Sequence, residues 1–342
     1  MNKRISRMIG DEKTRWQAVV AEYARPDAWR SLWQVANTLI PYLALFYLSI
    51  RSLEISFWLA LPLSLLTAGF MVRTFIIFHD CGHGAFFKER RANDWLGRIT
   101  GVLTFTPYQR WKHDHAIHHA TAGDLDRRGR GDVYTMTVQE YVQAPWWKKF
   151  GYRVMRQPVF MFFFGSLIVF VFTQRIPPAE GKREIASVWW TNAALAVVIT
   201  AMCLLFGWKA YVIVQALVIF FGASAGIWLF YVQHNFEGTY WERHDKWDFF
   251  KACVQGSSFF KLPAVLQWFT GNIGFHHIHH LAPKIPNYKL PKVFKENPIF
   301  QVKPITLWTS FKSLRLRLWD EETHRMVGWD ALKLYRLDKV KV

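Results

Sequence analysis

Long apolar stretches alternate with strongly polar ones along this chain, and four of the apolar stretches have the length of a membrane span. They run from Leu32 to Ile50, Ile55 to Phe78, Val188 to Phe206 and Ala210 to Val232. A helix needs roughly 20 apolar residues to cross a bilayer core. The links Arg51–Glu54 and Gly207–Lys209 are so short that the four runs pair into two helical hairpins. Two weaker runs, 99–108 and 158–173, read differently. The first is too short to span. The second has Lys148, Lys149, Arg153 and Arg156 before it and Arg175, Lys182 and Arg183 after it. Positive charge marks the cytoplasmic side, so both of its flanks belong inside. Both weaker runs are therefore expected to lie in-plane or re-enter.

Residues 1–31 are polar and basic. Within them Trp16, Val19, Val20 and Tyr23 fall on one helical face. That helix either lies along the membrane surface or packs on the protein's own cytoplasmic part. The expected organisation is an N-terminal cytoplasmic or interfacial segment (1–31), a main domain (32–320) and a tail (321–342). The expected fold is an all-α integral membrane protein. Its four transmembrane helices form two hairpins with their tips outside. A helical cap and both termini are cytoplasmic.

Composition fits that layout. The 342 residues are 51% hydrophobic and 17% aromatic, yet carry a formal charge of +18. Soluble domains this basic bind nucleic acid, but such aromatic content is foreign to them. Charge sorted to the cytoplasmic side explains the excess, and nucleic acid is not needed as a partner. The cysteines, Cys81, Cys203 and Cys253, are too far apart for a disulfide framework or a thiolate metal site.

The charge sum leaves out 13 histidines, and these carry the chemistry. His79 and His83 are four residues apart. His115, His118 and His119 follow an i, i+3, i+4 pattern, as do His276, His279 and His280. On a helix these positions share a face. His234 follows the fourth apolar run. If 158–173 does not cross, all of these clusters reach the same side of the membrane. The nine imidazoles exceed what one metal takes, and suit two. Spacing alone leaves iron, copper and zinc open. His113 and His277 are left over. Asp80, Asp114, Asp124, Asp126 and Asp132 are candidates to accept a ring N–H and so fix a ligand's tautomer.

The three clusters, His79-Asp-Cys-Gly-His83, His115-Ala-Ile-His118-His119 and His276-His-Ile-His279-His280, resemble the histidine boxes of the integral-membrane fatty acid desaturases. Around them, FHDCGHGAFF at 78–87, WLFYVQHNFEG at 228–238 and TGNIGFHHIHHLAPKIPNYKL at 270–290 look like the bacterial acyl-lipid desaturases, most of all the delta-5 phospholipid type. The resemblance implies a di-iron, dioxygen-dependent oxidase that removes hydrogen from two adjacent methylenes of a membrane phospholipid acyl chain. It implies His79, His83, His115, His118, His119, His234, His276, His279 and His280 as metal ligands. Some relatives hold a metal-bound water with an Asn four residues before the extra histidine. Phe230 stands there in this chain, and Asn272, four residues before His276, is the substitute candidate. Electrons would come from a separate ferredoxin or flavodoxin. The basic runs Lys88–Arg91 and Arg127–Arg130 could dock such a donor or anionic lipid. A membrane hydroxylase or ketolase shares these boxes and is the competing reading. A metal transporter would place His, Asp or Glu within the spans, which hold almost none.

Overall fold

The computed structural model describes residues 16–333, which form a mostly helical protein. The first 15 and last nine positions of the expected terminal segments lie outside the described residues.

Helix α1 (Ala28–Ser52) begins where the Asp27 carboxylate accepts the N–H of Arg30, satisfying a donor that the helix cannot. After the turn spanned by the Arg51–Glu54 ion pair, Ser56 caps α2 (Phe57–His83) in the same way. Helix α2 does not end with the apolar run at Phe78. It continues through His83 to Gly84, whose left-handed backbone (φ 63) ends it. The second apolar run and the first histidine pair are thus one rigid element. Helix α1 turns the polar Ser31, Gln34, Thr38 and Ser49 inward and leaves Trp29, Trp33, Ile40 and Leu43 outward.

The run 99–108 is the end of one helix and the start of another. Helix α3 (Arg90–Leu103) breaks at Thr104, and α4 (Tyr108–Thr121) starts after Pro107. Helix α5 (Trp146–Met155) leads into a segment of wide helical turns, 160–175, bent 78° away from it. Helices α6 (Lys182–Phe206) and α7 (Trp208–His234) form the second hairpin around Gly207 (φ 81). Among the described residues α2, α6 and α7 are long and apolar enough to cross a membrane, and the bent pair around 156–159 could count as one more, broken span. Helix α1 has the length but is too polar in composition to join that set.

Helix α2 is central, with 61% of its most apolar stretch buried against 17% for α6. The apolar surface of α6 and of the second hairpin's tip is open: Leu204, Leu205, Val197 and Trp208 are all more than half exposed. Water does not tolerate an apolar belt of that extent. Arg73, within the second apolar run, turns inward. It is buried, donates to Thr38 Oγ1 and to the Trp268 carbonyl, and lies 3.9 Å over the Trp268 ring. Trp228 packs inward on Phe162 and Phe311, whereas Trp189, Trp190 and Trp208 are exposed.

The C-terminal part folds back over the histidine-bearing ends of these helices. Strand β1 (Phe260–Lys261) pairs in parallel with β2 (Ile305–Thr306), and the Phe260 N–H donates to the Gly274 carbonyl just before helix α8 (His276–Leu281). The Tyr231 hydroxyl at the end of α7 donates to the carbonyls of Ser313 and Leu316. Residues Trp16, Val19, Val20 and Tyr23 pack on this same unit, with Phe250, Phe294 and Ile299.

Candidate metal centre

Four elements deliver the histidines. Helix α2 ends in His79 and His83, α4 carries His115, His118 and His119, α7 ends in His234, and α8 carries His276, His279 and His280. Consecutive residues on a helix point about 100° apart. The neighbours His118 and His119 therefore face different points, and so do His279 and His280. The result is two groups: His79, His83, His115, His119 and His279 in the first, His118, His234, His276 and His280 in the second. Within each group the ligand nitrogens lie within 4.8 Å of one another. The nine residues so gathered are the nine named from sequence.

Hydrogen bonding cannot account for the packing of these rings. In the first group the Nε2 of His115 lies 3.1 Å from those of both His79 and His119, and His119 lies 3.1 Å from His279. In the second, His234 Nε2 lies 3.2 Å from His118 and 2.9 Å from His276. An imidazole nitrogen offers one in-plane position, a hydrogen or a lone pair, so it serves one such neighbour and not two. Among the described residues, the Nε2 of His83 and both ring nitrogens of His280 are buried with no hydrogen-bond partner. A shared cation removes the conflict. Two nitrogens each about 2.1 Å from a metal at right angles stand about 3.0 Å apart. The donor set therefore fits a metal in each group.

Protonation agrees. Burial, followed by neighbouring imidazoles, holds His115, His119, His276, His279 and His280 well below the usual histidine range. Neutral rings keep the lone pair that a metal needs.

Carboxylates set two of the tautomers. His79 Nδ1 faces Asp80 Oδ1 at 3.2 Å, and Asp80 Oδ2 in turn accepts from the backbone N–H and side-chain amide of Asn287. His118 Nδ1 makes a short bond to Asp132 Oδ1. A carboxylate only accepts, so both histidines carry the proton on Nδ1 and present a bare Nε2. Asp114 lies elsewhere, 3.0 Å from Arg130 and 3.8 Å from Arg110. Asp124 and Asp126 bind Arg127, Arg243 and His244. Asn272 sits in the turn before α8 with φ 59, a conformation Asn tolerates, which accounts for its residue type without a metal.

Close packing fixes the rings. Trp111 stacks on His115 with centroids 4.3 Å apart, and there is room for it because residue 82 is glycine: a Cβ there would lie 2.8 Å from the indole. Phe230 packs on His118 and His234. A cavity of about 20 Å³ beside them is lined by His118, Asp132, His234 and Tyr240, room for about one water. His113 is exposed, whereas buried His277 donates to the Phe300 carbonyl and anchors α8 to the C-terminal part. Cys81 turns away into an apolar cluster with Phe78, Phe86 and Tyr108.

A sequence model described as fatty acid desaturase matches residues 56–308. A Bacillus subtilis (strain 168) protein named fatty acid desaturase is 47% identical over 316 residues, covering 92% of this chain and 90% of the relative. The chain belongs to the fatty acid desaturase family. It is accordingly an oxidoreductase and a membrane protein. More distant relatives include a Synechocystis protein named sn-1 acyl-lipid omega-3 desaturase (ferredoxin), 26% identical over 72% of this chain and 68% of its own length. An Anabaena variabilis sn-1 oleoyl-lipid 12-desaturase is 27% identical over 70% and 69%. The matched span of this desaturase contains all nine clustered histidines.

Proposed function

We propose that this chain is a dioxygen-dependent acyl-lipid desaturase that sets a cis double bond into a membrane phospholipid acyl chain at a di-iron centre, with delta-5 as the position. Two adjacent histidine groups, five and four strong, carry this reading. Iron held there would supply one-electron redox steps and the activation of dioxygen. The protein's own part is to hold that chemistry in place. Buried neutral imidazoles present lone pairs, Asp80 and Asp132 hold two of them by Nδ1, and Trp111 and Phe230 pack on the rings and fix their orientation. Per turnover, a CH2–CH2 unit, O2, two electrons and two protons become a CH=CH unit and two waters.

The same reading includes four spans, α1, α2, α6 and α7, with the bent segment 158–173 not crossing. The histidine groups, within a domain of residues 32–320, and both termini then lie on the cytoplasmic side of a bacterial cell membrane. The sharp bend and the inward polar face of α1 support this. The electrons come from a separate ferredoxin or flavodoxin. The printed name of the Synechocystis relative supports the former.

Expression in a host without polyunsaturates, followed by mass spectrometry of derivatised acyl chains, tests the function. New cis double bonds are expected. Hydroxylated chains without them would instead establish the hydroxylase reading.

A further inference from the structure

Each histidine group has one residue that is only partly buried, His83 in the first and His234 in the second. Their surroundings differ in charge. Near the second group the cations are spent locally: Arg127 pairs with Asp124, Arg128 with Glu140 and Arg130 with Asp114. Near the first, Lys112 and Arg90 share Asp94, but Lys284 has no carboxylate partner among the described residues. Helix α2 ends at His83, and Lys284 Nζ lies 3.5 Å from where a side chain on Gly84 would begin.

Three chain segments meet at this rim. Ser31 Oγ donates to the Phe86 carbonyl at 2.6 Å and lies 3.2 Å from the Tyr288 hydroxyl, which accepts from the Asp27 N–H at 2.8 Å. The start of α1, the loop after α2 and the stretch after α8 therefore form one continuous surface. Arg30, Lys88, Arg91 and Lys284 are exposed on it, and among the described residues none of them has a carboxylate partner. Two acids, Asp27 and Glu89, share the rim, and Asp27 is engaged in capping α1.

We propose that this rim is the docking surface for an acidic one-electron carrier protein, which reduces the centre past His83. The inference rests on the desaturase reading, since that reaction consumes two electrons per double bond and the carrier is oxidised twice to supply them. Charge complementarity steers such encounters and is screened by salt. Lys284 stands beside the end of α2 that carries His83, so a partner held there is close to the first histidine group.

The test uses the full-length, iron-loaded protein in nanodiscs and its R91E/K284E variant, with an acidic [2Fe–2S] ferredoxin as probe. Ferredoxin affinity, read by fluorescence anisotropy, should fall roughly tenfold and lose much of its salt dependence, and KM for ferredoxin should rise in step. Double-bond formation after reduction by dithionite, which needs no docking, should match the wild type. Unchanged ferredoxin affinity overturns the proposal. So does a variant that loses only its binding to phosphatidylglycerol vesicles, since the rim would then serve headgroups. Anisotropy needs no turnover, whereas wild-type product after dithionite reports on the desaturase reading, so the two failures are told apart.

Discussion

The imidazoles of His119 and His280 lie face to face, 4.1 Å between centroids and 9° from parallel, although they belong to different histidine groups. The two groups are thus in physical contact through this stack. His280→Ala removes a ligand from the second group and the ring that supports a ligand of the first. The expected outcome is loss of metal from both groups and activity below detection, a larger effect than the roughly 10–100-fold that loss of an outer partner costs. Metal content per chain, with membrane insertion checked separately, decides it. A variant that keeps normal metal content refutes the assignment.

Asp132 reaches His118 from the loop after α4. Asp132→Asn keeps the shape but removes the charge that holds the Nδ1 proton. Metal affinity of the second group should fall roughly 10–100-fold while the first is retained, as measured by competition with a chromophoric chelator. Asp114→Asn, which breaks only partly exposed pairs with Arg130 and Arg110, should cost about 0–1 kcal/mol and leave metal affinity unchanged.

Gly131 lets that loop lie on α4. It has φ +72, and a Cβ there would stand 3.0 Å from the Asp114 carbonyl and 3.1 Å from His118 Cβ. Gly82→Ala would collide with Trp111 in the same manner. Each alanine variant should be destabilised by about 1–3 kcal/mol, seen as a lower melting temperature. Adding Trp111→Phe should recover part of the loss for Gly82→Ala and none for Gly131→Ala.

Acid should unfold the metal-free protein through its histidines. Burial lowers His115, His119 and His279 well below their usual range and brings His277 to about 4. The unfolded chain takes up protons as pH falls through about 6.5, while the folded chain does not. Stability is therefore full above that value and declines from there toward pH 4. Bound metal competes with the same protons and should deepen the decline in the loaded protein. Melting curves across pH 4 to 8, with and without metal, measure it. A flat profile would contradict the buried, neutral state.

The histidine spacing was readable because a metal site needs particular side chains in a helical repeat, and the spans because a bilayer needs length. What the linear order hid depends on direction and on distant partners. The split of His118 from His119 follows from helical rotation. Asp132 could not be told from Asp114, Asp124 or Asp126 until the loop was folded onto α4. The burial of Arg73 was not legible because Thr38 and Trp268, which hold it inside, lie far away in the chain. Helix α1 hides its polar face against α2, so its composition understates how much of its outer surface is apolar.

The central claim is that the five-histidine and four-histidine groups each hold one iron. Iron per chain, measured on protein purified without oxygen and loaded with ferrous iron, tests it most directly. Two irons per chain are expected, falling to one in Asp132→Asn at limiting metal. A value of one in the fully loaded wild type, or zinc retained in place of iron, would contradict it.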